Sequence, residues 1–336
     1  MSSEAAGAGN LERSDRPLVS VIIPAYNVAA YVEYAIESAL TQTYPRVEVV
    51  VVNDGSTDST ASVLDKYRSR AVIVTKENGG LGSARNAGIL ASSGSIIGLL
   101  DGDDIWLPER VEKLVALLET RPELGMVTSD SYVMDNFTPT ERRSYPDRRR
   151  RPFPALEEDQ IPEIARFNFL FIAVLFRREL VEQLGMFTEG KRVSDLPTGP
   201  SPQDRALRRM PPTVEGAEDY DLWIRFLLSG ARAGFVDEPL GYYRVRPGSL
   251  SQARIAQARA HQAVLERHLP ALWKQGARGL SRDCYEIGSS LAERGNRGAA
   301  IKFYWHALTG EGASGTRFRL AASSVRRLLW PTRKGV

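Results

Sequence analysis

Short apolar runs of strand length alternate with segments of helical periodicity over the first 135 residues of the chain. The runs predict strands at Val19–Ile23, Val47–Val52, Val72–Val74, Ser95–Leu100 and Met126–Met134. Between successive runs, apolar residues recur at the spacing of a single helix face. Strands that are apolar throughout and alternate with helices indicate a doubly wound, mostly parallel α/β sheet with helices on both faces.

The chain after Asn136 follows a weaker pattern. Residues 139–154 and 191–215 lack an apolar period and are rich in Arg or Pro, so we expect loops there. The elements predicted around these loops are a strand or buried element at 168–176, helices at Glu179–Leu184 and Glu218–Leu228, and short strands at Ala233–Val236 and Tyr242–Val245.

Composition and pattern divide the chain into three parts. Residues 1–16 are expected to be a disordered tail, residues 17–250 the α/β domain, and residues 251–336 a C-terminal helical region. Small and aromatic residues in that last region are spaced as in one tetratricopeptide-like helix pair, with an ordinary helical hairpin as the alternative. These residues are Ile287, Gly288, Leu291, Gly295, Ala300, Tyr304 and Ala307. Residues 316–334 combine an apolar stripe with flanking arginines, which predicts either a basic helix on a membrane surface or a final helix packed on the domain.

Composition excludes several functional classes. The net charge of +3 among 336 residues gives no global basic field, so nucleic acid is not expected as a partner. The single cysteine, Cys284, excludes an internal disulfide, and the three histidines show no zinc-binding spacing. No apolar stretch reaches the roughly 20 residues of a membrane span, and the first residues lack the apolar core of a signal peptide. We therefore expect a cytoplasmic protein.

Three carboxylates follow the fourth predicted strand within four residues, at Asp101, Asp103 and Asp104. Because anions on one short loop repel each other, the pattern calls for a compensating cation. Mg²⁺ and Mn²⁺ prefer oxygen ligands and often bridge to phosphates. The alternative is a solvated acidic turn in which Asp104 lies near the N-terminus of the next helix.

The loops after the first four strands should meet at one edge of the sheet, where open α/β proteins bind ligands. Tyr26 offers a ring for stacking, Asp54 a carboxylate for a base N–H, and Arg85 a cation for phosphate. Each residue also has a structural interpretation: Asp54 as a turn residue and Tyr26 as a half-buried core aromatic. Glu218 and Asp219 start a helix, where they either cap it or supply a general base.

The chain resembles a family 2 glycosyltransferase of the GT-A type. The matching segments are VSVIIPAYN, VEVVVVNDGSTDST, NGGLGSARNAG, GLLDGDDIWLPER, AEDYDLWIRFLLSG and YYRVRPGSLS, which cover roughly residues 18 to 251 in the family's order. The resemblance implies that Pro24, Tyr26 and Asp54 hold the nucleoside of a donor. It also implies that Asp101 and Asp103 form the D-x-D motif, with Asp103 toward the metal, and that Asp219 is the catalytic base. Further candidates for donor, diphosphate or acceptor contacts are Arg85, Asp104, Glu218, Arg244 and Arg246.

The resemblance further implies the reaction. We expect an inverting, non-processive enzyme that moves a sugar from a nucleotide diphosphate donor to an acceptor hydroxyl, with a divalent cation, in cell-surface polysaccharide or glycan synthesis. A lipid-linked acceptor would place it at the inner leaflet of the plasma membrane. The alternatives are a sugar nucleotidyltransferase and a non-catalytic binding or scaffold protein. The sugar, the base and the acceptor are not predicted.

Overall fold

The structure is a computed structural model. It describes residues 16–144, 153–154, 159–166, 168–170, 173–189, 216–246, 254–274, 285, 288–289 and 297–309. The predicted tail except Arg16, the loop at 191–215 and the basic segment at 316–334 lie outside the described residues.

The strands in the described part of the chain are β1 (Val19–Ala25), β2 (Val47–Asp54), β3 (Val72–Lys76), β4 (Ile96–Leu99), β5 (Ile105–Trp106), β6 (Leu124–Asp135), β7 (Thr138–Arg143), β8 (Leu175–Arg177) and β9 (Arg232–Val245). The helices there are α1 (Val32–Leu40), α2 (Thr60–Asp65), α3 (Gly80–Leu90), α4 (Arg110–Thr120), α5 (Gln160–Arg166), α6 (Arg178–Leu184), α7 (Glu218–Leu228), α8 (Arg254–Lys274) and α9 (Arg297–Thr309).

One sheet carries the fold, in the order β3-β2-β1-β4-β8-β6-β9-β5, with β7 paired to β6. Strands β1 to β4 run parallel, as the alternating pattern predicts. Strand β8 runs antiparallel to both neighbours, and β6 pairs in parallel with β9. The carboxyl ends of β1, β2 and β4 therefore lie side by side at one edge of the sheet, as the sequence predicts.

Both faces of the sheet are buried because successive side chains of each strand point to opposite sides. Ile22 and Val50 pack in one apolar cluster with Trp223 of α7. Val21 and Val51 pack in a second cluster with α1 and α4. This two-sided burial explains why the strands are apolar throughout and confirms the doubly wound α/β prediction.

Two predictions for the chain after Asn136 are wrong. Residues 139–143, expected to belong to a loop, are part of β7, which folds back on β6 through a turn at Asn136, whose φ is 53°. The two short strands expected after α7 are one strand, β9, whose register shifts opposite β6. The exposed residues Asp237 and Glu238 interrupt its apolar pattern, so the sequence alone divides it.

The described C-terminal helices pack on the same core as the sheet. Val264 and Leu272 of α8 and Phe303 of α9 belong to the cluster that contains Trp223. Gly288 lies against the ring of Tyr304, and the tetratricopeptide-like pairing stays a prediction. None of the helices in the described part of the chain is long and apolar enough to cross a membrane.

Candidate active site

The loop of residues 101–104, called here the acidic loop, leaves the sheet beside the loop that follows β1. Gly102 makes this approach possible, because a Cβ at this position would lie 2.8 Å from the carbonyl oxygen of Pro24. Pro24 is buried and Tyr26 is half-buried. The acidic loop therefore adjoins the segment predicted to hold a nucleoside.

Arginines supply part of the positive charge that the acidic loop requires. Arg85 Nη2 donates to Asp101 Oδ1 at 2.9 Å, and Arg246 Nε donates to Asp103 Oδ2 at 2.7 Å. Asp101 has 45% of its side chain exposed, against 19% for Asp103. Asp104 is buried and accepts the backbone N–H of Arg244 at 2.8 Å. The loop is thus paired within the protein, while Asp101 keeps an open side toward solvent.

These pairs do not fully offset the negative charge. Burial, with repulsion from Asp101, raises the pKa of Asp103. Burial also raises the pKa of Asp104 well above its ordinary value, and repulsion from Asp103 and Asp101 adds to that shift. The loop therefore favours a further cation or a proton.

Arg85 joins the acidic loop to the first turn of α7. Its Nη1 donates to Glu218 Oε1 at 2.8 Å while its Nη2 holds Asp101. The guanidinium is 7% exposed and lies 5.4 Å from the ring centre of Phe187. Burial opposes its charge, but Asp101 and Glu218 outweigh that cost and raise the pKa of Arg85. One arginine therefore brings together the two acidic segments that the sequence singled out.

Glu218 and Asp219, called here the acidic turn, differ in exposure. Glu218 is buried, and its Oε2 accepts the N–H of Gly216 at 2.8 Å. Asp219 is half-buried and accepts the N–H of Tyr220 at 2.7 Å. Burial raises the pKa of Asp219, against the opposing charge of Arg85. A partly accessible carboxylate with a raised pKa has the properties of a general base.

Asp54 serves a structural role at the start of α3. Its carboxylate accepts the N–H groups of Gly79 and Gly80, each at 2.9 Å, and the ammonium of Lys76 at 2.8 Å. A helix N-terminus favours an anion, so Asp54 stabilises α3 while standing at the end of β2. The Asp54 side chain is 1% exposed, and its nucleoside contact stays a prediction.

Arg244 is buried and contacts several parts of the protein around the acidic loop. Its Nε donates to the carbonyl oxygen of Asp103, and its Nη1 to that of Asn136. Its guanidinium lies 5.1 Å from the ring centres of both Tyr31 and Phe137. These contacts fix the acidic loop to the β6–β7 turn. The resemblance drew attention to Arg244, but only the structure assigns it this supporting position.

Sequence reasoning missed two buried groups near the site. Arg110 in α4 is fully buried, donates to Ser129 Oγ at 2.8 Å, and has its pKa lowered to about 9 by burial. Asp221 in α7 is 1% exposed, and its carboxylate accepts hydrogen bonds from Thr188 Oγ1 at 2.8 Å and from His268 Nε2 at 2.9 Å. A charged residue within an apolar helix face was the available signal in both cases.

The structure has the architecture of GT-A glycosyltransferases. It aligns with TarS of Staphylococcus aureus, solved with UDP-GlcNAc, at a TM-score of 0.57 and 18% identity, covering 93% of this chain and 89% of that one. It also aligns with the mannosyltransferase PcManGT of Pyrobaculum calidifontis, solved with GDP-Man and Mn²⁺, at a TM-score of 0.53 and 23% identity, covering 96% and 89%. At these identities the likeness establishes the fold.

The sequence comparisons establish the family. The model of glycosyl transferase family 2 matches residues 20–185. An uncharacterized glycosyltransferase of Rickettsia typhi is 28% identical over 297 residues, or 87% of this chain and 84% of the relative. The uncharacterized glycosyltransferase EpsJ of Bacillus subtilis is 30% identical over 251 residues, or 70% of this chain and 63% of the relative. The chain belongs to glycosyl transferase family 2 and is an enzyme of the glycosyltransferase class, which confirms the resemblance and the fold expected from it.

Proposed function

We propose that this enzyme transfers a sugar from a nucleotide diphosphate donor to an acceptor hydroxyl in one displacement that inverts the anomeric centre. The observation that carries the proposal is the contact of Arg85 with both Asp101 and Glu218. This contact brings the acidic loop and the acidic turn to the two sides of one buried cation, which supports a joint role for the two segments. Family membership favours this reaction over nucleotidyl transfer or a scaffold role.

In this proposal Asp219 accepts the proton of the acceptor hydroxyl as its oxygen attacks the anomeric carbon. Bond formation and departure of the nucleoside diphosphate then belong to one step, without an enzyme nucleophile. The half-buried position of Asp219 and its raised pKa support the assignment. General-base assistance typically contributes about 10²–10⁴-fold to a rate.

Donor binding is proposed for the loops at the ends of β1, β2 and β4. Tyr26 would stack on the base, with Pro24 and Asp54 bounding the nucleoside site and Asp101 next to the ribose. Neighbours in the same fold were solved with UDP-GlcNAc and with GDP-Man, which supports a nucleotide sugar as donor. Asp104 and Glu218 are buried, so we propose that they position the neighbouring residues and do not contact the donor themselves.

We propose a divalent cation, Mg²⁺ or Mn²⁺, at Asp103 and the exposed side of Asp101. Two carboxylates are a suitable oxygen donor set, and such ions commonly complete their coordination with substrate phosphates. No group of three or more metal-ligating side chains occurs among the described residues. When bound, the ion offsets the charge that develops on the leaving diphosphate. PcManGT was solved with Mn²⁺, which supports the assignment.

The proposed acceptor is a hydroxyl of a cell-surface glycan or of its lipid-linked precursor. The enzyme would meet such an acceptor in the cytoplasm or at the inner leaflet of the plasma membrane. This part of the proposal rests on the resemblance and on the basic segment at 316–334, which lies outside the described residues.

Asp219→Asn tests the proposal. Release of UDP from UDP-GlcNAc, or of GDP from GDP-Man, should fall by about 10²–10⁴-fold in the variant, because the base is lost. Donor binding measured by calorimetry should stay near that of the wild type, and EDTA should abolish turnover in the wild type. Because the pKa of Asp219 is raised, the acidic limb of the wild-type rate profile should lie above the ordinary Asp value of 3.8.

The matched control is Asp65→Asn, which removes an exposed carboxylate remote from the site and should leave turnover unchanged. Turnover of the Asp219→Asn variant near the wild-type level would reject Asp219 as the base. A large loss of donor affinity in that variant would instead identify Asp219 as a donor ligand.

A further inference from the structure

Arg246 is paired with Asp103, the carboxylate that the proposed function assigns to a divalent cation. Its Nε donates to Asp103 Oδ2 at 2.7 Å, and the two side chains are 18% and 19% exposed. A charge-assisted hydrogen bond of this length in a partly buried site is among the stronger polar contacts in proteins. The guanidinium thus lies where a cation bound at Asp103 would also have to approach.

The two cations differ in what they require. A hard divalent ion prefers oxygen ligands alone, whereas a guanidinium can use a carboxylate or a phosphate oxygen equally well. Two positive charges directed at one carboxylate also repel each other. Arg246 therefore has an alternative partner once a diphosphate is present, whereas the ion can bind the diphosphate and Asp103 at the same time.

The structure gives Arg246 a place from which to change partners. Its guanidinium carbon lies 5.1 Å from the ring centre of Tyr31, a distance at which a cation is attracted to the face of an aromatic ring. The backbone of the acidic loop is held independently, because Arg244 donates to the Asp103 carbonyl oxygen and to the Asp104 carboxylate. The Asp103 side chain can exchange cations without displacement of the loop.

We infer that Arg246 and a divalent cation compete for Asp103, and that Arg246 transfers from Asp103 to the diphosphate of the donor when the nucleotide binds. The inference rests on the proposed function and adds to it a binding role for one residue. It has a thermodynamic consequence: metal alone binds poorly, and metal and nucleotide strengthen each other's binding. By linkage, each ligand must raise the affinity for the other by the same factor.

Arg246→Gln separates the two roles of the arginine. The full-length variant should bind Mn²⁺ about tenfold or more tightly than the wild type without nucleotide, because hydrogen bonds to charged groups typically shift an equilibrium by about one to two decades. With saturating Mn²⁺, the variant should bind UDP or GDP about tenfold or more weakly. Electron paramagnetic resonance of free Mn²⁺ and calorimetry of nucleotide binding give the two affinities.

Two further variants serve as controls. Arg142→Gln removes the same charge from an exposed ion pair with Asp135 on the neighbouring β6–β7 hairpin and should change neither affinity. Asp103→Asn should weaken Mn²⁺ binding with or without the Arg246 substitution. Thermal melting confirms that each variant is folded.

Equal nucleotide-free Mn²⁺ affinity in the wild type and in Arg246→Gln would overturn the inference, as would absence of Mn²⁺ binding in both. A wild-type protein that binds no nucleoside diphosphate, tested with UDP, GDP, ADP, CDP and dTDP, would reject the proposed donor. The nucleotide-free comparison would still decide the role of Arg246, so the two failures are distinguishable.

Discussion

Replacement of Asp221 by Asn should reduce the stability of the protein more than a single isosteric substitution usually does. Asp221 lies two residues after the proposed base, with 1% of its side chain exposed. Its carboxylate accepts hydrogen bonds from Thr188, Arg225, Arg267 and His268. Asn keeps one acceptor oxygen and the shape of the side chain, so the change removes charge rather than volume.

The loss of stability depends on whether each hydrogen-bond donor keeps a partner once Asp221 is replaced. Arg225 also donates to the backbone carbonyls of residues 184–186, and Arg267 is 48% exposed, so both retain partners or water. Thr188 and His268 lose the charged acceptor. Hydrogen bonds to charged groups contribute about 1.5–3 kcal/mol each, and breaking a buried ion pair costs about 3–5 kcal/mol. Because two of the four donors are compensated, we expect the free energy of unfolding to fall by about 2–4 kcal/mol.

The stabilisation that Asp221 provides should depend on pH in a definite direction. Hydrogen bonds and charges lower the pKa of Asp221 in the folded state despite its burial. A lowered folded pKa stabilises the fold above the unfolded value, which is about 3.9 for Asp, and this contribution is lost as pH falls toward the folded pKa. The difference between wild type and variant should therefore shrink below about pH 4.

Urea unfolding followed by tryptophan fluorescence measures this difference. The control is Asp65→Asn, whose ion pair with Arg68 has side chains 61% and 62% exposed. Such surface pairs contribute about 0–1 kcal/mol. If Asp221→Asn and Asp65→Asn changed the free energy of unfolding equally, the reasoning from burial and partners would be refuted.

Two further predictions concern ligands. Tyr26→Ala should weaken binding of UDP or GDP without acceptor, since base–aromatic stacking contributes about 1–3 kcal/mol, and unchanged affinity by calorimetry would contradict a stacked base. A chain that ends at Gly315 should lose co-sedimentation with anionic vesicles at low salt, because basic residues near such a surface contribute about 1 kcal/mol each. Equal sedimentation of the two chains would end the membrane hypothesis.

The sheet and the loops of the site were largely predictable from local pattern. Apolar runs identify β1, β2 and β4 because both faces of these strands are buried, and the D-x-D segment follows at a sheet edge that topology fixes. Asp101 and Asp219 could be singled out because carboxylates at a strand end and at a helix start have recognisable chemistry. The parallel strands and the loops that follow them can therefore be recognised from the sequence.

The pairings between distant residues were not predictable. The contact of Arg85 with Glu218 joins residues 133 positions apart, and that of Arg246 with Asp103 joins residues 143 apart. Neither pairing has a periodic signature, because it depends on the antiparallel return of β8 and on the register of β9. The same reason explains why β7 and the continuity of β9 were missed: exposed charged residues obscure a strand whose position is set by its partner.

The first turn of α7 shows how one helix serves structure and chemistry at once. Burial acts on both of its aspartates in the same direction, yet the pKa of Asp219 is raised and that of Asp221 is lowered. The difference lies in the neighbours: Asp221 accepts hydrogen bonds and faces cations, whereas Asp219 faces Asp101 as well as Arg85. A fully satisfied carboxylate stabilises the helix, and an under-compensated one two residues away retains affinity for a proton. A neighbour on the same turn thus anchors the helix that carries the proposed base, while Asp219 keeps unfavourable charge where a substrate is expected to bind.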